Sequence, residues 1–128
     1  MQNSKNYLKT AIVYIRSFNK EQKNLISPEE QEKATTDFAS KEGYRIVRVF
    51  RDVNVTGKSF NRPQLHALIQ YIEANPGKVK FLIVIDITRL STTASGKAKI
   101  RGFFWKNRIR VISILKVLLG NAGKLKRP

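Results

Sequence analysis

Ala11-Ile12-Val13-Tyr14-Ile15-Arg16 is a continuous apolar, β-branched run that ends on a guanidinium. A run without a polar face suits a strand covered on both sides, as in the centre of a parallel sheet. Such a strand carries its last residues to the C-terminal edge of the sheet, where open α/β folds place their chemistry. Here those residues are Arg16 and the hydroxyl-bearing Ser17.

Working outward, a polar loop runs to Ile26, and Ser27-Pro28-Glu29-Glu30 then forms a strong helix start. Serine is the N-cap, proline takes the first helical position, and glutamate stands three residues after the cap. This helix is predicted to run to about Lys41 and to stop at Gly43. Tyr44 to Phe50 reads as the second strand and Arg51 to Asn61 as a polar loop. Arg62-Pro63 opens a helix with Leu65, Leu68, Ile69 and Ile72 at helical spacing, ending near Asn75-Pro76-Gly77. Val79 to Ile87, the most apolar segment, is the third predicted strand. Thr92 to Asn107 is a predicted helix with Ile100, Phe103 and Phe104 inward, and Trp105 is grouped with that core rather than with a base-stacking platform. Ile109 to Leu115 reads as the fourth strand. Residues 1–10 read as a flexible polar N-terminus and 117–128 as a basic tail. The order β-α-β-α-β-α-β with crossovers of this length predicts one three-layer α/β domain over residues 1–128. Its sheet is mostly parallel, of four to five strands, with helices on both faces.

The 128 residues include 25 Lys and Arg against 9 Asp and Glu, a formal charge of +16. That excess favours a polyanionic partner, of which nucleic acid is the commonest, over a merely soluble basic surface. The charge is concentrated: no acidic residue follows Asp86, whereas Arg89, Arg101, Lys106, Arg108, Lys124, Lys126 and Arg127 all lie beyond it. Arg101, Lys106, Arg108, Lys124, Lys126 and Arg127 are the candidate DNA-binding cations. With no cysteine, disulfides, thiol catalysis and cysteine-based zinc sites are excluded. His66 is the only histidine, so no multi-histidine metal site can be built, and no metal or other cofactor is expected. No secretory signal pattern opens the chain, and no apolar run approaches the ~18 residues of a membrane span. A cytoplasmic protein without a membrane partner is expected.

Arginines recur beyond three predicted strands, at Arg16, Arg62 and Arg89. Several guanidiniums and a hydroxyl on one sheet edge make a site for a phosphodiester. A serine can attack phosphorus if preorganised cations stabilise the developing charge. Arginine suits this better than lysine, because its planar fork binds two phosphate oxygens and stays charged. Asp52 could orient an arginine or cap a turn. Gln31 lies on the first helix and could be plain surface. Asp86 falls inside the third predicted strand, which is costly without a partner; an arginine is the expected one.

These residues resemble the N-terminal catalytic domain of the serine recombinases, the resolvase and invertase family. The resemblance rests on Tyr14-Ile15-Arg16, Glu21-Gln22, Ser27 to Gln31, Asp52 with Thr56-Gly57, Arg62-Pro63-Gln64-Leu65 and Thr88-Arg89-Leu90-Ser91-Thr92. It spans about residues 11–115, in the family's order. It implies a resolvase-like fold and a DNA strand-exchange enzyme whose serine forms a 5′-phosphoserine link without metal or nucleotide. By position, Arg16, Arg62 and Arg89 would contact the scissile phosphate, supported by Gln31, Asp52 and Thr56. DNA is the implied partner, with association into homo-oligomers or with another recombinase subunit.

Departures from the pattern set further expectations. The nucleophile position falls on Phe18, which cannot attack phosphorus. Ser17 is adjacent but one step along an extended strand reverses side-chain direction, so it could serve only through a bulge at the strand end. Thr88 stands where the family has aspartate and Thr92 where it has a second arginine. The sequence ends at Pro128, short of the family's long dimerising helix. The expectation is therefore a truncated homologue, weakened or inactive in cleavage, that binds DNA or pairs with an intact recombinase. An active fragment using Ser17 and a non-catalytic basic DNA-binding protein are the alternatives.

Overall fold

The computed structural model describes residues 9–17, 27–53 and 61–117. Strand β1 (Thr10–Ser17) is buried along its whole length. Helix α1 (Pro28–Glu42) starts on a complete capping box: Ser27 Oγ accepts from the Glu30 amide at 3.1 Å, and Glu30 Oε1 accepts from the Ser27 amide at 2.9 Å. It stops at Gly43, whose φ of 81° is a left-handed cap conformation. Strand β2 (Arg45–Val53), helix α2 (Pro63–Ala74), strand β3 (Phe81–Val84), a 3-10 turn (Ile87–Arg89), helix α3 (Ala94–Lys106) and strand β4 (Arg110–Ser113) come next along the chain. Residues 114–117 are helical.

The four strands are parallel, in the order β2-β1-β3-β4. Alternation along β1 sends Ile12 and Tyr14 to one face and Ala11, Val13 and Ile15 to the other. Leu65, Leu68 and Ile72 of α2 and Phe104 of α3 close the first face. Ala39 of α1, flanked by Ala34 and Phe38, closes the second. The predicted three-layer architecture with helices on both faces is therefore present.

Several element boundaries differ from the prediction. Strand β2 continues through Asp52 to Val53, so Asp52 belongs to the sheet and not to a loop. Strand β3 ends at Val84 rather than Ile87, because Asp86 turns its carboxylate onto the Thr88 amide at 2.9 Å and starts the 3-10 turn. Asp86 therefore does not sit inside a strand. Strand β4 is shorter than predicted, since the backbone is already helical at Ile114 and Leu115. No described helix is long and apolar enough to cross a membrane.

Candidate active site

Parallel strands all present their C-terminal ends at one edge of the sheet, and that edge carries the three arginines. Arg16 lies near the end of β1, Arg62 precedes α2, and Arg89 closes the 3-10 turn after β3. Each is at most 6% exposed. Arg16 donates from Nε to the Arg89 carbonyl at 3.0 Å and from Nη2 to the Thr88 carbonyl at 2.9 Å. Arg62 donates to the carbonyls of Leu90 and Arg89 and, at 3.0 Å, to the Tyr14 hydroxyl. Arg89 donates back to the Arg16 carbonyl at 3.4 Å, and its Nε lies 3.8 Å from Asp86 Oδ2. Two guanidiniums thus clasp the Thr88–Leu90 backbone while the third reaches across to β1.

Burial pushes the Arg16 guanidinium below its ordinary pKa, and the charges of Arg62 and Arg89 push it further. Among the described residues, Arg62 Nε and Arg89 Nε are buried N–H donors without a hydrogen-bond partner. Buried donors of that kind are rare in folded proteins. Three guanidiniums therefore stand together at this edge, two of them with a buried Nε–H that has no hydrogen-bond partner among the described residues.

Asp52, paired in register with Arg16, holds the adjoining scaffold. It is 2% exposed and accepts from the Tyr14 hydroxyl at 2.7 Å and from the amides of Gln64 and Leu65, each at 3.0 Å. It satisfies orphan amides in the first turn of α2, and through Tyr14 it fixes Arg62. The Arg62 guanidinium also lies 5.4 Å from the Tyr14 ring centre. Burial, then the hydrogen bond to Asp52, raises the Tyr14 hydroxyl well above the usual tyrosine pKa. In the sequence Tyr14 stands in the strand and in the Tyr14-Ile15-Arg16 motif; the signal for its hydrogen bonds is its place two residues before Arg16, on the same sheet face.

Gln31 is not surface. It is fully buried, and its Nε2 donates to the Arg16 carbonyl at 3.0 Å, the same oxygen that Arg89 approaches. Ser17 is 4% exposed, and its Oγ has no hydrogen-bond partner among the described residues. Its backbone pairs regularly with Val53, and the register shift in β1 falls at Ala11/Ile12 instead. The strand end therefore has no bulge, and alternation places Ser17 on the face of Ile15, opposite Arg16.

Phe18, Glu21, Gln22, Thr56, Gly57, Lys124, Lys126 and Arg127 lie outside the described residues. Arg101, Lys106 and Arg108 are exposed, but they gather at the N-terminal edge of β4, the end of the sheet opposite the arginine cluster. Trp105, grouped with the core from sequence, is 85% exposed beside them, and only Phe104 of that aromatic run is fully buried.

The folds of solved serine-recombinase catalytic domains share this architecture. The N-terminal catalytic domain of TP901-1 integrase superposes with a TM-score of 0.74 at 22% identity, covering 93% of this chain and 97% of that one. A resolvase family site-specific recombinase from Streptococcus pneumoniae gives 0.70 at 20% identity, over 92% and 87%. The C-terminal catalytic domain of ISC1926 TnpA, an IS607-like serine recombinase, gives 0.70 at 23% identity, over 82% and 67%. No curated protein matches. The resolvase N-terminal domain family matches residues 11–120, and the chain belongs to that family.

Proposed function

We propose that this chain is a recombinase catalytic-domain homologue that grips the sugar-phosphate backbone of duplex DNA at the Arg16–Arg62–Arg89 edge but does not itself form a phosphoserine link. The convergence of Arg16 and Arg62 on the Arg89 carbonyl carries this reading, because it holds the forks at fixed separation where a phosphate can accept from them. Arg62 and Arg89 each keep a buried Nε–H without a hydrogen-bond partner among the described residues. Gln31 fixes the end of β1, and Asp52 fixes Tyr14, Arg62 and the start of α2. Family membership implies interaction with DNA and assembly into oligomers; an intact recombinase subunit would supply the nucleophile in a mixed assembly.

Loss of cleavage follows from two side chains. Phe18 has no group that can attack phosphorus. Ser17 keeps to the regular alternation, away from Arg16. In the experiment, supercoiled DNA is incubated with the protein, denatured, and tested for a covalent protein–DNA adduct. The native chain is expected to give none, and Phe18→Ser to restore one. An adduct with the native chain that disappears in Ser17→Ala overturns the inactive reading in favour of Ser17 as nucleophile. Unchanged duplex affinity in both Arg16→Gln and Arg89→Gln overturns the phosphate-binding edge itself.

A further inference from the structure

At the opposite end of the sheet, the last turns of α3 and the start of β4 enclose an open groove of about 750 Å³. Phe104, Ile109 and Val111 line its apolar part, and Trp105 stands on its rim at 85% exposure. Arg101, Lys106, Arg108 and Arg110 line the same groove, all exposed. Among the described residues none of the four makes an ion pair, and the sequence supplies no acidic residue after Asp86 to neutralise them. Phe81 pairs with both Ala11 and Arg110, so this groove lies five residues of β1, about 16 Å at ~3.3 Å per residue, from the level of Arg16.

Two ordinary explanations fall short. Cations at a helix C-terminus complement its dipole, but that end carries only about half a unit charge, far less than four cations. A single exposed apolar side chain is unremarkable on most surfaces. Here the exposed one is the chain's only tryptophan, and it lines a groove together with three apolar residues and four cations. Arg108 adds a third observation. It occupies the left-handed position just after α3, with φ 58°, where glycine is the unstrained residue. Arg108 lines the groove in spite of that conformational cost.

We infer that this groove binds single-stranded nucleic acid, with a base stacked on the Trp105 indole and the flanking phosphates held by Arg101, Lys106, Arg108 and Arg110. Stacking needs an unpaired base with a free π-face, which a duplex does not offer, and cations spaced around an aromatic are the usual way to hold a strand without reading its sequence. The site is separate from the arginine edge and does not depend on the reading given to that edge. A chain with both could hold duplex at one end of its sheet and an unpaired strand at the other.

Trp105 is the sole indole, so its fluorescence reports this groove alone. Titration with an oligothymidylate of about twelve nucleotides is expected to quench it saturably. Affinity, read separately by anisotropy of a fluorescein-labelled oligomer, should fall at least about fivefold in Trp105→Ala and be mostly retained in Trp105→Phe. Its log–log salt slope should be about −2 to −3, from four contacts at about −0.7 each. Thermal melting of Trp105→Ala should match the native chain, because an exposed side chain leaves no cavity. A blunt duplex of equal length should bind without matching the quench. The proposal is overturned if Trp105→Ala binds the oligomer as well as the native chain does. It is equally overturned if duplex, heparin or anionic phosphatidylglycerol vesicles quench Trp105 as strongly as the oligomer. The adduct assay on Phe18→Ser reads the other end of the sheet, so either proposal can fail alone.

Discussion

Arg16 and Arg62 donate to one and the same acceptor, the carbonyl oxygen of Arg89, from β1 and from the residue preceding α2. A single oxygen thereby holds two like charges together, with a third guanidinium from Arg89 close by. Burial first, and then repulsion from Arg62 and Arg89, depress the pKa of Arg16 in the native state. An anion bound at this edge relieves that repulsion, and binding to the folded state alone raises stability by mass action. Sulfate, or better a short duplex, is therefore expected to stabilise the fold by about 2.7 kcal/mol at a hundredfold excess over Kd, and so to raise the melting temperature with ligand concentration. Arg16→Gln should abolish most of the increment. Differential scanning calorimetry at fixed ionic strength checks this; an equal shift in native protein and variant would mean a general salt effect.

Arg62 is a structural residue as well as a candidate phosphate contact. Arg62→Ala removes the donor to the Leu90 carbonyl in a buried place, which should cost about 1–3 kcal/mol. Arg62→Lys restores the charge but not the fork, since one ammonium cannot span Leu90, Arg89 and Tyr14. The lysine variant is expected to recover part of the duplex affinity while its melting temperature stays near that of the alanine variant. Full thermal recovery in lysine would show that charge alone matters at this position.

The parts of this fold that sequence makes legible are those governed by neighbours in the chain. The Ser27–Glu30 capping box and the Gly43 stop bound α1 because each acts within one helical turn. The apolar run from Ala11 places β1 at the centre for the same local reason. Polarity alone misplaces Gln31, yet its spacing with Thr35 and Ala39 marks one buried stripe. Hydrophobicity alone misplaces Trp105, although at ~100° per residue it falls off the stripe of Ile100, Phe103 and Phe104. The convergence of Arg16, Arg62 and Arg89 is inferable from topology, whereas the backbone carbonyls that fix it are not. Which oxygen a guanidinium finds depends on how the 3-10 turn closes, and that turn hangs on the Asp86 carboxylate.

Tyr14 gives the edge an alkaline limit. Its hydroxyl donates to Asp52 and accepts from Arg62, and its folded-state pKa lies above the unfolded value near 10. Above about pH 10 the unfolded chain releases this proton while the folded chain keeps it. Stability then falls as pH rises, at up to about 1.4 kcal/mol per unit from this group. Below about pH 10 the contribution is fully present. Tyr14→Phe should cost about 0.5–1.5 kcal/mol near neutrality, because Asp52 retains two amide partners, and should show a shallower alkaline decline than the native protein. Melting curves between neutrality and strong alkali distinguish the two; parallel declines would place the titrating group elsewhere.

Arg108 offers a test in which stability and binding move in opposite directions. The end of α3 is a Schellman motif: the Arg108 amide donates to the Trp105 carbonyl at 3.0 Å and the Ile109 amide to the Phe104 carbonyl at 2.8 Å. Its left-handed residue is arginine, with φ 58°, where a Cβ costs roughly 1–2 kcal/mol. Arg108→Gly removes that cost but adds unfolded-chain entropy of about 0.5–1 kcal/mol, leaving a net gain of up to about 1 kcal/mol. The same change deletes one cation beside Trp105, so oligothymidylate affinity should drop and the salt slope should shrink by about 0.7. Arg108→Ala should lose the same affinity without the thermal gain, because alanine retains the Cβ. A groove that holds no strand leaves affinity unchanged in both variants while the thermal difference between them persists. Cap and binding site can therefore be read apart on one residue.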